Sequence, residues 1–127
     1  MRHHRKLFES IHQRPGMYGL HETYAVYAAF LQGYDEAYEG GLLAGFREWL
    51  VVRLKTGSNL AWSVLVLYSA FPGIRPAEDA LPAGSDAERA AIDTLFALLA
   101  EFDDIRGQHD GLRKIYRDYE KYVSTLE

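Results

Sequence analysis

Leu60-Ala61-Trp62-Ser63-Val64-Leu65-Val66-Leu67-Tyr68-Ser69-Ala70-Phe71 is the one stretch of this chain that reads as either a strand or a helix, and the choice sets the fold class. Val64 to Tyr68 is rich in residues that suit a pleated, half-buried surface. The apolar run is nevertheless about twelve residues long, well beyond an ordinary strand, and it stops at Pro72-Gly73, which a helix does not cross. Ser58 or Asn59 stands before it, with a side-chain oxygen placed to accept hydrogen bonds from first-turn amides. These features predict a buried helix from Leu60 to Phe71, and with it an all-α chain.

On either side of that stretch the apolar spacing is helical almost throughout. Leu7, Phe8 and Ile11 share one face of a first helix that ends near Gln13. From Glu22 to Glu39, Tyr24, Tyr27, Leu31, Tyr34 and Tyr38 recur in steps of three or four, with Val26, Phe30 and Ala37 beside them. So wide an apolar face predicts that this second helix is the central one, ended by Gly40-Gly41. Phe46, Trp49, Leu50, Val52, Arg53 and Leu54 predict a third helix stopping before Thr56-Gly57. Residues 72–84 hold three prolines and two glycines beyond the fourth helix, a linker-like and flexible stretch too short to separate domains. Ser85-Asp86-Ala87-Glu88 then has the spacing of a capping box, in which Ser85 and Glu88 satisfy each other's backbone amides. It opens a helix whose apolar face is Ala91, Ile92, Leu95, Phe96, Leu98, Leu99 and Phe102, and a last helix begins near Asp110-Gly111. The expectation is a single domain over residues 1–127, a bundle of about six helices.

Composition narrows the function classes. A chain of 127 residues with 48% hydrophobic content is near the commonest size of one domain. No run has the ~18 uninterrupted apolar residues of a membrane span, and the basic N-terminus (Arg2, Arg5, Lys6) lacks the apolar core of a signal peptide, so a cytoplasmic protein is expected. With no cysteine there is no disulfide and no thiolate chemistry. The net charge of −4 disfavours nonspecific nucleic-acid binding. His3, His4, His12, His21 and His109 include no pair at the spacing that puts two metal ligands on one helix face, so neither metal nor cofactor is expected. His12 with Glu9, and His109 with Asp110, read as surface neighbours. The last helix interleaves Arg113, Lys114, Arg117 and Lys121 with Tyr116, Tyr119 and Tyr122, but Asp118 and Glu120 dilute the charge.

Arg14-Pro15-Gly16-Met17-Tyr18 resembles the turn that opens the ATP domain of the DNA gyrase B subunit and its relatives, and Asp35-Glu36-Ala37 extends the similarity. That resemblance implies a catalytic glutamate and, four residues on, a magnesium-binding asparagine. Here Ala28 and Gln32 occupy those positions, leaving no base to activate water and a poor magnesium ligand. Read instead as punctuation, Pro15 stops the first helix and Gly16 releases the backbone before the second.

Together with that same Arg14 to Tyr18 turn, the remaining motifs resemble a family of small bacterial immunity proteins of polymorphic toxin systems. They are Phe30-Leu31-x-Gly33-Tyr34, Gly45-Phe46-x-Glu48-Trp49-Leu50, Asn59-x-x-Trp62 and the acidic run Leu95 to Phe102, over roughly residues 10 to 102. The resemblance implies a non-catalytic protein that blocks a cognate protein toxin, with Arg14 to Tyr18, Trp49, Asn59 and Trp62 as structural positions. An acidic surface suits fast association with a cationic toxin, which singles out Asp35, Glu36 and Glu39 after the second helix and Glu101, Asp103 and Asp104 on the fifth. Trp49 and Trp62 each carry an indole donor that needs a partner if buried, which Glu48, Arg53 or Asn59 is placed to supply or orient. Two other readings stay open: a nucleotide-binding module built on the Arg14 turn, and a scaffold domain that forms homodimers rather than monomers. Neither nucleic acid nor membrane is an expected partner.

Overall fold

The computed structural model describes residues 4–21, 23–56, 58–73 and 84–126. Six α-helices make up the fold, with no strand among the described residues: α1 (Arg5–Gln13), α2 (Tyr24–Ala37), α3 (Phe46–Leu54), α4 (Trp62–Ala70), α5 (Ser85–Arg106) and α6 (Gly111–Ser124). The chain is an all-α bundle, as the periodicity predicts. The ambiguous stretch is helix, with Leu65, Val66 and Leu67 all buried on α4. These three successive residues are covered because α4 lies against both α3 and α5.

The centre of the bundle is α5, not α2. At 22 residues it is the longest helix, and it packs against α1, α2, α3, α4 and α6. Leu95, Leu99 and Phe102 are fully buried, and Phe102 meets Phe46 of α3 with ring centroids 5.1 Å apart. The apolar face of α2 rolls off the core along its length: Tyr24, Tyr27 and Leu31 are buried, Tyr34 is half-buried and Tyr38 is exposed. A wide aromatic face was thus partly surface, since tyrosine covers apolar area while keeping its hydroxyl wet.

Helix ends depart from expectation in an instructive way. Ser85 does not cap α5: it is the first helical residue, behind Gly84. Glu88 instead reaches across the bundle, its Oε2 accepting the Tyr24 backbone N–H at 2.6 Å, so a carboxylate of α5 caps α2. Likewise α4 starts at Trp62 behind Ala61, with no side-chain cap from Ser58 or Asn59. The preceding turn is held by Arg47 of α3, which donates to the carbonyls of Ser58 and, at 2.8 Å, of Leu60. The 72–84 stretch lies, but for its ends, outside the described residues.

Arg106 is the most unusual side chain in the core. Only 2% exposed, it lies beside the 1%-exposed Asp103. Its Nη1 donates to the carbonyls of Gly41 and Ala44, Nη2 is 3.5 Å from Asp103 Oδ1, and the guanidinium sits over the Phe102 ring at 4.6 Å. Burial pulls the Arg106 pKa down, and Asp103 opposes that pull. Asp103 Oδ1 also accepts the His4 amide at 3.3 Å. One buried ion pair therefore ties the α2–α3 connection to α5 and to the start of α1.

Candidate partner-binding surface

The end of α2 carries a file of rings. Tyr18 meets Phe30 edge-on at 5.6 Å, Phe30 meets Tyr34 at 5.8 Å, Tyr34 stacks on Tyr38 at 5.3 Å, and Tyr38 lies 5.9 Å from His4. The spacing follows from sequence, because residues 30, 34 and 38 are one turn apart on one face. Beside the last two rings an open groove of about 710 Å³ runs between α1, α2 and α5, lined by His4, Arg5, Lys6, Leu7, Glu9, Tyr34, Tyr38 and Asp104. Its charge is mixed: Arg5 Nη2 is 2.6 Å from Asp104 Oδ2 and 3.1 Å from the Ala100 carbonyl. Stacked tyrosines with few rotamers beside a polar rim have the make-up of a protein-binding surface.

The acidic candidates do not form one patch. Asp103 does not belong to an acidic surface, because it is buried against Arg106. Asp35 is occupied locally, its Oδ1 accepting the Leu43 N–H at 2.8 Å in the turn after α2. Glu101 pairs with Arg53 at 2.8 Å across a different groove, lined by Trp49, Val52 and Ile105. Asp104 borders the tyrosine groove but is bridged to Arg5. Glu36 and Glu39 are exposed, and Glu36 accepts from Gln32 at 3.4 Å. The structure therefore brings Tyr34, Tyr38 and Asp104 to one groove, puts Glu101 in another and leaves Asp103 in the core. The basic and histidine members of that groove were missed, since His4, Arg5 and Lys6 lie in a short segment with no motif.

The Arg14 turn is a short 3-10 helix, Pro15–Tyr18, pinned where Tyr18 Oη meets Ser10 Oγ at 2.8 Å. The backbone release comes at Gly19, whose φ of 70° is left-handed, and not at Gly16. Arg14 is exposed, and Met17 projects outward with 71% of its surface open. Gln32, at the position where the gyrase-like pattern has asparagine, accepts the Trp62 indole N–H at 2.9 Å. That bond replaces the Glu48, Arg53 or Asn59 partnership expected for Trp62, and Asn59 is an exposed turn residue. Trp49 is half-buried, with the Arg53 guanidinium 5.3 Å from its ring. His12 bonds to Asp93 at 2.9 Å and stacks on Phe96 at 4.6 Å, so its bonding partner is on α5, while Glu9 lines the same groove. His109 does lie beside Asp110, at 3.3 Å.

Among the described residues no three His, Asp or Glu side chains are grouped to hold a metal ion, and no helix is long and apolar enough to cross a membrane. No family model matches the chain, and no curated protein or solved structure matches it.

Proposed function

We propose that this chain is a non-catalytic binding protein of the immunity type, which neutralises a cognate protein toxin by covering its working surface. The observation that carries the reading is the stacked Tyr34–Tyr38 pair at the rim of the α1–α2–α5 groove. Both rings are held by neighbours on α2 and by His4, so little side-chain entropy remains to be lost when a partner covers them. Tyr38, 41% exposed, supplies the anchor, and Glu36 and Glu39 on the same helix end add negative charge that speeds encounter with a cationic partner.

Growth rescue tests the reading. The product of the gene next to this one is expressed in a sensitive host with and without this chain. Immunity predicts growth in the strain that carries this chain and toxicity in the strain that lacks it, with rescue weakened by Tyr38→Ala and by Glu36→Lys with Glu39→Lys. A harmless neighbour, or killing that the chain does not relieve, removes the support for a toxin partner.

A further inference from the structure

The basic side of the molecule follows a different logic. Helix α6 packs on α3 and α5 through Ile115, with Tyr119 and Tyr122 against the core, and leaves Arg113, Tyr116, Arg117 and Glu120 exposed along its outer face. Four arginines elsewhere are tied into the fold, Arg5 to Asp104, Arg53 to Glu101, Arg47 to two loop carbonyls and Arg106 in the core, while Arg14 stands exposed on the turn after α1. On α6, Lys114 is paired with Asp118 at 2.9 Å. Arg113 and Arg117 have no ion pair among the described residues.

Helix stability does not account for Arg113. It lies in the first turn of α6, where the exposed amides and the macrodipole favour an anion, yet that turn holds no acidic residue and Asp110 makes no side-chain cap bond. A cation kept at the unfavourable end of a helix, unpaired and beside a 39%-exposed tyrosine, breaks a local rule without a return to the fold. Such breaches mark surfaces that something else uses.

We infer that the outer face of α6, centred on Arg113, Tyr116 and Arg117, docks an acidic protein surface. The complementary charge follows from the two unpaired guanidinium groups. Arginine and tyrosine are also the side chains enriched where protein interfaces concentrate their energy. Nucleic acid fits less well. The strip from Arg113 to Lys121 is only about 12 Å long at 1.5 Å per residue. The chain as a whole carries −4, so a long polyanion running past the strip meets repulsion that a compact acidic patch avoids. This site is separate from the tyrosine groove and takes the opposite charge, so it does not rest on the toxin reading.

The test is an NMR titration of the labelled full chain with a short poly-glutamate peptide, and in parallel with a thymidine oligonucleotide of equal charge. The inference expects saturable, salt-sensitive shifts confined to the α6 amides and the Tyr116 ring, tighter for poly-glutamate, and weakened about tenfold or more in R113E/R117E. It also expects that R113E alone unfolds at the same temperature as the parent or higher, because a first-turn anion suits α6. Absence of α6 shifts overturns the inference. Tighter binding of the oligonucleotide overturns the choice of a protein partner. A marked drop in the R113E melting temperature shows that the arginine serves the fold, which also overturns it.

Discussion

Replacing Arg106 with methionine should be among the most damaging conservative-volume changes in this protein. Methionine refills much of the space over Phe102 but takes the Arg106 charge away from the 1%-exposed Asp103, and frees the Gly41 and Ala44 carbonyls of their donor. Breaking a buried pair from one side costs about 3–5 kcal/mol, because the remaining charge keeps its desolvation penalty. A domain of this length is stable by roughly 6–15 kcal/mol, so the loss is a large fraction of the total and lowers the melting temperature by roughly 10–20 °C. Urea unfolding followed by the fluorescence of Trp49 and Trp62 reads it directly. The companion variant Asp103→Asn with Arg106→Met removes both charges of the pair while an amide oxygen still accepts the His4 N–H. It should recover about 1–3 kcal/mol relative to Arg106→Met alone, a coupling typical of contacting residues. If Arg106→Met falls within about 1 kcal/mol of the parent, or if the two substitutions simply add, the electrostatic account of this core is wrong.

Other consequences are independent of that pair. Glu88→Ala leaves the first amide of α2 without its charged acceptor and should cost about 1.5–3 kcal/mol in urea unfolding, with faster hydrogen exchange at Tyr24 and its neighbours. Gly111→Ala places a methyl 2.3 Å from the Ile105 carbonyl oxygen and 2.6 Å from that of Arg106, so the α5–α6 corner must open, at about 1–3 kcal/mol. Burial raises the Tyr24 phenol well above its ordinary value, and its hydroxyl donates to the Ser63 carbonyl at 2.6 Å. The unfolded phenol ionises near pH 10 and the folded one does not, so the unfolded chain holds fewer protons and stability falls by about 1.4 kcal/mol per pH unit above ~10. Tyr24→Phe should flatten that alkaline slope, and an unchanged slope would assign it to other tyrosines.

The six helices were legible because helix periodicity is a local property repeated over many residues. Even α4, whose composition favours a strand, declared itself by length and by its Pro72-Gly73 stop. What the sequence could not express was which partner satisfies which end. Ser85 and Glu88 have the spacing of a capping box, yet the Glu88 carboxylate is 64 residues from the amide it serves. Gln32 read as a substitute in a metal shell, and its oxygen holds the Trp62 indole 30 residues away. Both functions depend on helix packing, and neither leaves a trace in local spacing. The central role of α5 was hidden for the same reason: apolar residues on α2 and α5 look alike until the rings of Tyr34 and Tyr38 turn out to lie beyond the core.

Charge was the least legible property, because a carboxylate in sequence does not reveal whether the fold has already used it. Asp35 holds the Leu43 amide, Asp103 holds Arg106 and the His4 amide, Glu101 holds Arg53, and Asp104 holds Arg5. Reversing one of these disturbs a contact within the fold, so a loss of association in such a variant says nothing specific about a partner. Glu36 and Glu39 at the end of α2, and Arg113 and Arg117 on α6, are exposed and make no ion pair among the described residues. At these four positions a change of sign should alter stability by no more than about 0.5 kcal/mol while altering association. Partner recognition is therefore best sought where folding makes the least demand, with opposite signs on the two surfaces. If charge reversal at Glu36 and Glu39 impairs rescue while reversal at Arg113 and Arg117 leaves it intact, the tyrosine groove and the α6 face act as separate sites. If both reversals impair rescue equally, one partner spans both surfaces.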